Sequence, residues 1–189
     1  DNPRVDIFDE NNNKNSSFES GSVGQGPADV AIDKFGKIYV TDFKTGSIQI
    51  FDSSGILLNT IILPHTKDMA VNLTGIDLDD LGNIYVSDYR NGKIIKFDSF
   101  GNFLLEFFVP SEIGTFHKPT NLSIGPNGFV FVTDNSDRLL VFDSFGNFQF
   151  SFGQSGEAPG NFSDPHGIAF DNFGLAYVVE YSNNRVQIF

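Results

Sequence analysis

The histidines and acidic residues are the residues of this chain that could bind a metal or move protons. The histidines are His65, His117 and His166, and the chain also has 24 Asp and Glu residues and no Cys. Calcium needs six or more oxygens that converge on one point. Asp79 and Asp80 are the best adjacent pair of acids, and no spacing of the EF-hand kind is present. Residue types alone therefore leave a calcium site open.

Composition argues against several other functions. The chain has 12 Lys and Arg residues and a formal net charge of −12, whereas nucleic-acid binding needs a basic face. There is no Gly-x-Ser-x-Gly motif for a nucleophile and no Gly-rich phosphate loop between a strand and a helix. No run of about 18 apolar residues could span a membrane. We therefore predict no nucleic-acid partner and no membrane span.

The acids and glycines recur at an interval of 46 residues, which indicates a repeat architecture. Ten of the 24 acids stand at repeat-defined strand ends, so turn formation explains most of them. The turn glycines that show the interval are Gly36, Gly82, Gly128 and Gly174. The acids that end the second apolar run of each copy are Asp42, Asp88, Asp134 and Glu180.

Each repeat contains four short apolar runs that are bounded by Gly, Asp, Asn or Ser, which predicts four strands. No segment has sustained apolar spacing of 3.6 residues, so no helix is predicted. Between the runs, an Asp can accept hydrogen bonds from nearby backbone amides and a Gly can adopt a positive φ. Two tight hairpins in series form a four-stranded antiparallel meander. Such a unit at intervals of about 40–50 residues is typical of a β-propeller blade.

The last copy resembles an NHL repeat. The matching residues are Gly156–Asp171 (GEAPGNFSDPHGIAFD), followed by Gly174, Tyr177-Val178 and Asn183–Phe189 (NNRVQIF). The first two copies match well, and the third is weaker because Gly125 replaces the turn Asp. The resemblance covers essentially the whole chain. It implies an all-β propeller of four-stranded antiparallel blades, commonly six in this family, but it does not imply one function.

The repeat boundaries predict a single propeller domain or fragment with about four blades and an open or partial ring. Residues 1–24 would end a preceding blade, residues 165–189 would form a partial blade, and Glu10–Ser17 would be a long loop. The complete blades are predicted at residues 27–64, 73–109 and 119–153. Seventeen strands are expected. Three alternatives stay open: part of a longer propeller, a ring completed by several chains, or a small closed ring in which the first segment supplies the missing strand of the last blade.

The channel mouth is the first candidate binding site. Some lyases that resemble NHL proteins hold zinc there with histidines in a Pro-His context, and Pro165-His166 has that context. The equivalent positions are Ala28, Thr74 and Thr120, and one histidine of three does not make a zinc site. We therefore expect no cofactor: zinc is disfavoured, and calcium stays open. The tentative binding residues at the mouth and on the loop face are His166, His117, Arg90 and Asn121.

A second candidate is a set of apolar residues in the turns. Each stands just before the turn Gly, where a polar residue is usual, and the turns of a meander emerge on one side of the disc. These residues are Phe35, Leu81, Phe100, Phe145 and Phe173. They would either tuck against their own or the next blade, or form an apolar face that docks a partner.

The sequence favours a non-enzymatic binding or scaffold module for protein–protein or cell-surface interactions, because the repeat explains nearly every polar residue. The alternative is a propeller lyase or hydrolase, of the streptogramin-lyase or lactonase kind, with part of its catalytic set outside this chain. Expected partners are a protein or further blades, with self-assembly open. Four Asn-x-Ser/Thr sequons support an extracellular or cell-surface location.

Overall fold

The computed structural model describes residues 4–19, 26–63, 70–109 and 118–189. These residues form an all-β propeller, as predicted, and the only helical segment among them is one 3₁₀ turn at Pro126–Gly128. No helix in the described part of the chain is long and apolar enough to cross a membrane. The strands are β1 (Arg4–Phe8), β2 (Lys14–Glu19), β3 (Pro27–Ile32), β4 (Ile38–Asp42), β5 (Ser47–Phe51), β6 (Leu57–Ile62), β7 (Leu73–Leu78), β8 (Ile84–Asp88), β9 (Lys93–Phe97), β10 (Phe103–Phe107), β11 (Pro119–Ile124), β12 (Val130–Asp134), β13 (Arg138–Phe142), β14 (Phe148–Phe152), β15 (Pro165–Phe170), β16 (Ala176–Glu180) and β17 (Arg185–Ile188).

All the sheets are antiparallel meanders in which each strand pairs with its neighbour in sequence. Blade 1 is β3–β6, blade 2 is β7–β10 and blade 3 is β11–β14, whereas blade 4 has only β15–β17. The hairpin β1–β2 is a separate two-stranded sheet that packs on blade 1. Neither of its strands pairs with β17 among the described residues. The small closed ring, with the first segment completing the last blade, is therefore not formed.

The tight turns within the blades are held by Asp carboxylates. In the first turn, one oxygen of Asp33 accepts hydrogen bonds from the backbone N–H of Phe35 at 2.8 Å and of Lys37 at 2.9 Å. Gly36 closes the turn with a φ of 81°, a left-handed conformation that suits glycine. The same pair of carboxylate bonds recurs in the turns that begin at Asp52, Asp79, Asp98, Asp143 and Asp171.

The prediction of a long loop at Glu10–Ser17 is wrong, because the same kind of turn occurs there. Asp9 accepts from the N–H groups of Asn11 and Asn13, both at 2.8 Å, and β2 begins at Lys14. Asn12 takes the place of the turn glycine with a φ of 62°. Asparagine tolerates this left-handed conformation better than most residues. The Asn-rich stretch therefore forms a hairpin turn, although its composition is typical of a loop.

The first turn of blade 3 has Gly125 in place of the turn Asp, and a second residue changes with it. In the other blades a tyrosine hydroxyl lies 3.2–3.4 Å from the turn carboxylate, as between Tyr85 and Asp79. In blade 3 the two positions are Phe131 and Gly125, so the hydroxyl and the carboxylate are absent together. The ring of Phe131 instead packs on Phe170 with centroids 4.8 Å apart. Neither member of the polar pair is left buried without its partner.

The hydrophobic core lies between blades rather than within one. Three clusters of buried residues join blades 1 and 2, blades 2 and 3, and blades 3 and 4. Around the channel, threonine hydroxyls also connect neighbouring blades. Thr41 Oγ1 donates to the carbonyl of Thr74 at 3.1 Å, Thr74 Oγ1 to Pro119 at 3.0 Å, and Thr120 Oγ1 to Pro165 at 2.7 Å.

The outer faces of blades 1 and 4 are less buried than the faces that lie between two blades. Val186 of blade 4 is 53% exposed, although the equivalent residues of blades 1–3 are at most 1% exposed. Those residues are Ile48, Ile94 and Leu139. At the other end, Val30 of blade 1 is 48% exposed, whereas its equivalents in blades 2–4 are buried. The apolar surface therefore remains open on blade 4 and at the inner strand of blade 1, whereas the β1–β2 hairpin covers Ile38, Val40 and Phe51 of blade 1.

Asp29 connects three blades through one carboxylate. Its Oδ2 accepts from the backbone N–H of Ile76 at 3.1 Å and from the side chain of Asn121 at 3.3 Å. Burial raises the pKa of Asp29 above its ordinary value, and the charge of Asp77 acts in the same direction. The hydrogen bonds from Ile76, Val30 and Asn121 oppose that rise but do not cancel it.

The replacement Gly125→Ala tests the packing of the blade 3 turn. An added Cβ would lie 2.6 Å from the ring of Phe131 and 2.9 Å from that of Phe170. Overpacking of this kind costs about 1–3 kcal/mol, so we expect a lower urea midpoint of unfolding. Gly167→Ala is the matched control, since its Cβ would meet only Val179 at 3.8 Å. Equal midpoints for the two variants would contradict the account of this turn.

Asp29→Asn tests the energetic cost of the buried charge. Because the folded pKa is raised, folded Asp29 keeps its proton in a pH window where the unfolded chain has lost it. The free energy of unfolding therefore falls as pH rises through that window. The variant removes this fall. It should be more stable than the parent at neutral pH by about 1.4 kcal/mol for each unit by which folding raises the pKa. Urea titrations from acid to neutral pH measure the difference.

Asp171→Asn should behave in the opposite way. Partial desolvation raises the pKa of Asp171, but hydrogen bonds from Leu175 and Phe173 outweigh it, so the net pKa is lowered. This variant should therefore lose stability at neutral pH, and the loss should shrink as the pH falls through that lowered pKa.

For the Asp29 prediction, the contradicting outcome is an identical pH dependence of stability for Asp29→Asn and the parent. That result would show that the buried charge of Asp29 is not costly.

Candidate functional site

The channel mouth contains a cavity of about 390 Å³ on the face where the inner strands begin. Two of the predicted mouth residues, His166 and Asn121, line it, and the sequence did not point to the aromatic wall formed by Phe43 and Tyr89. The full lining is Ala28, Phe43, Thr74, Tyr89, Thr120, Asn121 and His166. Arg90 is exposed in the neighbouring turn and is not part of this lining. His117 lies outside the described residues.

His166 has one charged partner at the mouth. Its Nε2 lies 3.3 Å from Oδ1 of Asp164, and the imidazole remains about half exposed. A histidine oriented by a carboxylate can act as a general base. Two equivalent positions, Thr74 and Thr120, use their hydroxyls to connect blades. Across the described ranges, no three His, Cys, Asp or Glu side chains are grouped to hold a metal.

A second cavity of about 410 Å³ lies next to the mouth, and residues of all four blades line it. Asn121 belongs to both cavities. Asp29 and Asp77 place two carboxylates in the channel, among side chains that are otherwise mostly apolar. Asp77 accepts from Ser123 Oγ at 2.9 Å and from the N–H of Ile124 at 2.8 Å. The sequence signal that could have indicated Asp77 is its position in an inner strand.

The apolar residues of the turns all point into solvent. Phe173 is 91% exposed and Phe145, the least exposed, is 77% exposed. The exposed set is Phe35, Leu81, Phe100, Phe145 and Phe173. The interpretation in which these side chains tuck against a blade is therefore wrong. We call the eight tight turns the turn face; they comprise residues 9–13, 33–37, 52–56, 79–83, 98–102, 125–129, 143–147 and 171–175.

Two grooves cross the turn face between blades. The first, about 450 Å³, lies between blades 1 and 2 and has Phe35, Leu81 and Phe100 on its walls. The second, about 530 Å³, lies between blades 2 and 3, with Leu81 and Phe145 on its walls. Leu81 is shared by both grooves. Turns from first-to-second and third-to-fourth strand connections thus meet on one side of the disc, as predicted.

Hydrogen bonds favour the charged form of the turn acids Asp52, Asp98 and Asp143. Hydrogen bonds from the side chains of Ser54 and Asn102 hold the pKa values of Asp52 and Asp98 below their ordinary range, with backbone amides adding to the effect. At Asp143, desolvation acts upward, but the bonds from Asn147 outweigh it and the pKa is again lowered. The turn face therefore combines exposed rings with fixed negative charge.

Sequence comparison finds relatives of part of the chain. The family model for the NHL repeat matches residues 25–51 and 162–189. A probable peptidyl-α-hydroxyglycine α-amidating lyase of Caenorhabditis elegans is 33% identical over 79 residues, which cover 39% of this chain and 23% of that protein. The human NHL repeat-containing protein 3 is 26% identical over 78 residues, which cover 39% of this chain and 22% of that protein. The chain thus spans less than a quarter of these relatives.

Structural comparison finds the same fold in larger proteins. A streptogramin B lyase structure matches 98% of this chain and 61% of its own, at 16% identity and a TM-score of 0.76. A catalytically inactive histidine-to-alanine variant of virginiamycin B lyase from Staphylococcus aureus, with quinupristin, matches with a TM-score of 0.74 at 17% identity, over 98% of this chain and 62% of its own. These likenesses show the fold alone. The two family matches show that the chain contains NHL repeats, and its described residues form a β-propeller.

Proposed function

We propose that this chain is a non-enzymatic binding or scaffold module and that a protein partner docks on its turn face. The observation that carries the proposal is that five large apolar side chains on one side of the disc are 77–91% exposed. Exposed apolar patches of this kind mark interaction surfaces in soluble proteins. Aromatic side chains are also the residues that most often anchor protein interfaces.

The open ends of the arc suggest a second kind of partner, a further propeller blade. Val30 and Val186 occupy positions that are buried wherever another blade is adjacent. A blade that covered Val186 would present the kind of apolar face that Ile76 and Leu122 present within this chain. Such a blade could belong to the same polypeptide or to another copy.

The double variant Phe100→Ser/Phe145→Ser tests docking on the turn face. We expect the immobilised variant to retain less than about a tenth of the partner that the parent chain captures, because two exposed anchors are lost. Capture from an extract of cells that naturally make the chain can be quantified by mass spectrometry. The melting temperature should not change, because both side chains are exposed.

Phe150→Ser is the matched control, since Phe150 is 51% exposed on β14, outside the turns. This variant should capture the partner as well as the parent chain does. Undiminished capture by the double variant would refute the turn face as the docking surface.

A lyase is the second candidate function, supported by the His166–Asp164 pair beside a cavity and by the fold shared with streptogramin lyases. Only one histidine stands at the mouth among the described residues. A complete catalytic set would therefore need residues from blades outside this chain.

Turnover assays distinguish the lyase from the binding module. Because a lyase would need further blades, the assay uses the polypeptide purified from cells that naturally make it. We expect that polypeptide to leave quinupristin and a peptidyl-α-hydroxyglycine unchanged above the buffer control, as measured by mass spectrometry of the products. If turnover is seen, and His166→Ala abolishes it while His65→Ala retains it, the protein is a lyase and the proposal of a binding module is wrong.

A further inference from the structure

We infer that the partner of the turn face is a basic protein segment that also carries apolar side chains. This inference rests on the proposed function and adds the partner's chemistry. It follows from how charge is distributed between the two sides of the disc, together with the exposed rings described above.

Most of the chain's negative charge belongs to the turn face. The eight turns contain nine acidic residues and two lysines, a net charge of −7 of the −12 for the whole chain. The described connections at the opposite ends of the strands, residues 43–46, 89–92, 135–137, 153–164 and 181–184, contain three acidic and two basic residues. Their net charge is −1, so the field of the disc is strongly asymmetric.

The charge on the turn face is only partly offset by cations among the described residues. Lys34 Nζ donates to the carbonyl of Asp80 at 3.4 Å, and Lys96 Nζ donates to the carbonyl of Ser144 at 3.0 Å. Every ion pair among the described residues lies away from the turns, as in Lys93–Glu106 and Arg185–Glu180. The turn carboxylates accept hydrogen bonds from neutral donors; at Asp98 the side chain of Asn102 and backbone amides lower the pKa and leave the charge in place. A partner therefore meets a surface of net negative charge.

The chain itself shows how an ammonium group can use this surface. Lys34 Nζ lies 5.5 Å from the centroid of the Phe35 ring, a cation–π distance. The rings of Phe100 and Phe145 have no such cation in the described structure. Exposed Asp80 lies in both grooves beside Leu81. A lysine or arginine could place its stem along these apolar walls and its charge near Asp80.

The same charges disfavour the other occupants. A second copy would bring another face of net charge −7 against this one, and like-charge contact disfavours association. Nucleic acids and anionic lipid surfaces are repelled for the same reason. A basic protein segment with apolar side chains matches both properties of the surface.

The probe that tests this inference is a short, dye-labelled peptide of alternating lysine and leucine, titrated against the full chain by fluorescence anisotropy. The matched probe replaces each lysine by glutamate. We expect binding of the basic peptide only, weakening as salt is added. Phe100→Ser/Phe145→Ser should weaken that binding about tenfold, whereas Phe150→Ser should not change it.

A charge reversal separates the surface from the overall charge of the chain. Asp80→Lys should weaken binding of the basic peptide roughly threefold or more. Glu157→Lys makes the same change in net charge at an exposed residue of the opposite face and should leave binding unchanged. Equal effects of the two reversals would overturn the inference, because binding would then follow net charge alone.

The remaining outcomes separate this inference from the proposed function. If both peptides bind and the double Phe variant weakens both, the docking surface stands and the basic partner is wrong. If neither peptide responds to the double Phe variant, the docking surface itself is wrong. A dimer of the parent chain that Phe100→Ser/Phe145→Ser dissociates would show that a second copy occupies the face.

Discussion

The hydrogen bonds between an aspartate side chain and the amides of its own turn are the interaction on which this structure depends. One carboxylate oxygen accepts from the N–H groups two and four residues further on in seven of the eight tight turns. The closed turn sets the register of each hairpin, and a residue in the left-handed conformation completes it. Short hairpins in fixed register let blades stack face to face.

The same turn determines the chemistry of one surface of the disc. Its carboxylate bonds to amides and stays charged, while the residue before the turn glycine points outward. In five turns that outward residue is apolar, so rings and negative charge alternate over the surface. Blade 3 departs from the pattern because Gly125 makes room for the Phe131–Phe170 contact. The opposite surface is built from longer connections and carries the cavity lined by His166.

The sequence predicted the fold well because a 46-residue period repeats every turn and strand type. It failed at Glu10–Ser17, where asparagine replaced the expected turn glycine. The exposure of Phe35, Leu81, Phe100, Phe145 and Phe173 could not be decided from sequence, since a ring in a turn can fold back or point outward at similar cost. The aromatic wall of the mouth was missed because Phe43 and Tyr89 approach each other, at 6.2 Å, from different blades. Such contacts depend on how blades stack, which no local pattern encodes.

The central claim is that partners meet this propeller on the turn face. The most direct measurement places a photoactivatable phenylalanine analogue at position 100, at position 145 or, on the opposite face, in place of Tyr89. Each labelled chain is irradiated in an extract of cells that naturally make it, and crosslinked adducts are identified by mass spectrometry. The account predicts that positions 100 and 145 give the same adduct and position 89 gives none of it. Crosslinking of the partner from position 89 alone would contradict it and would move the functional site to the channel mouth.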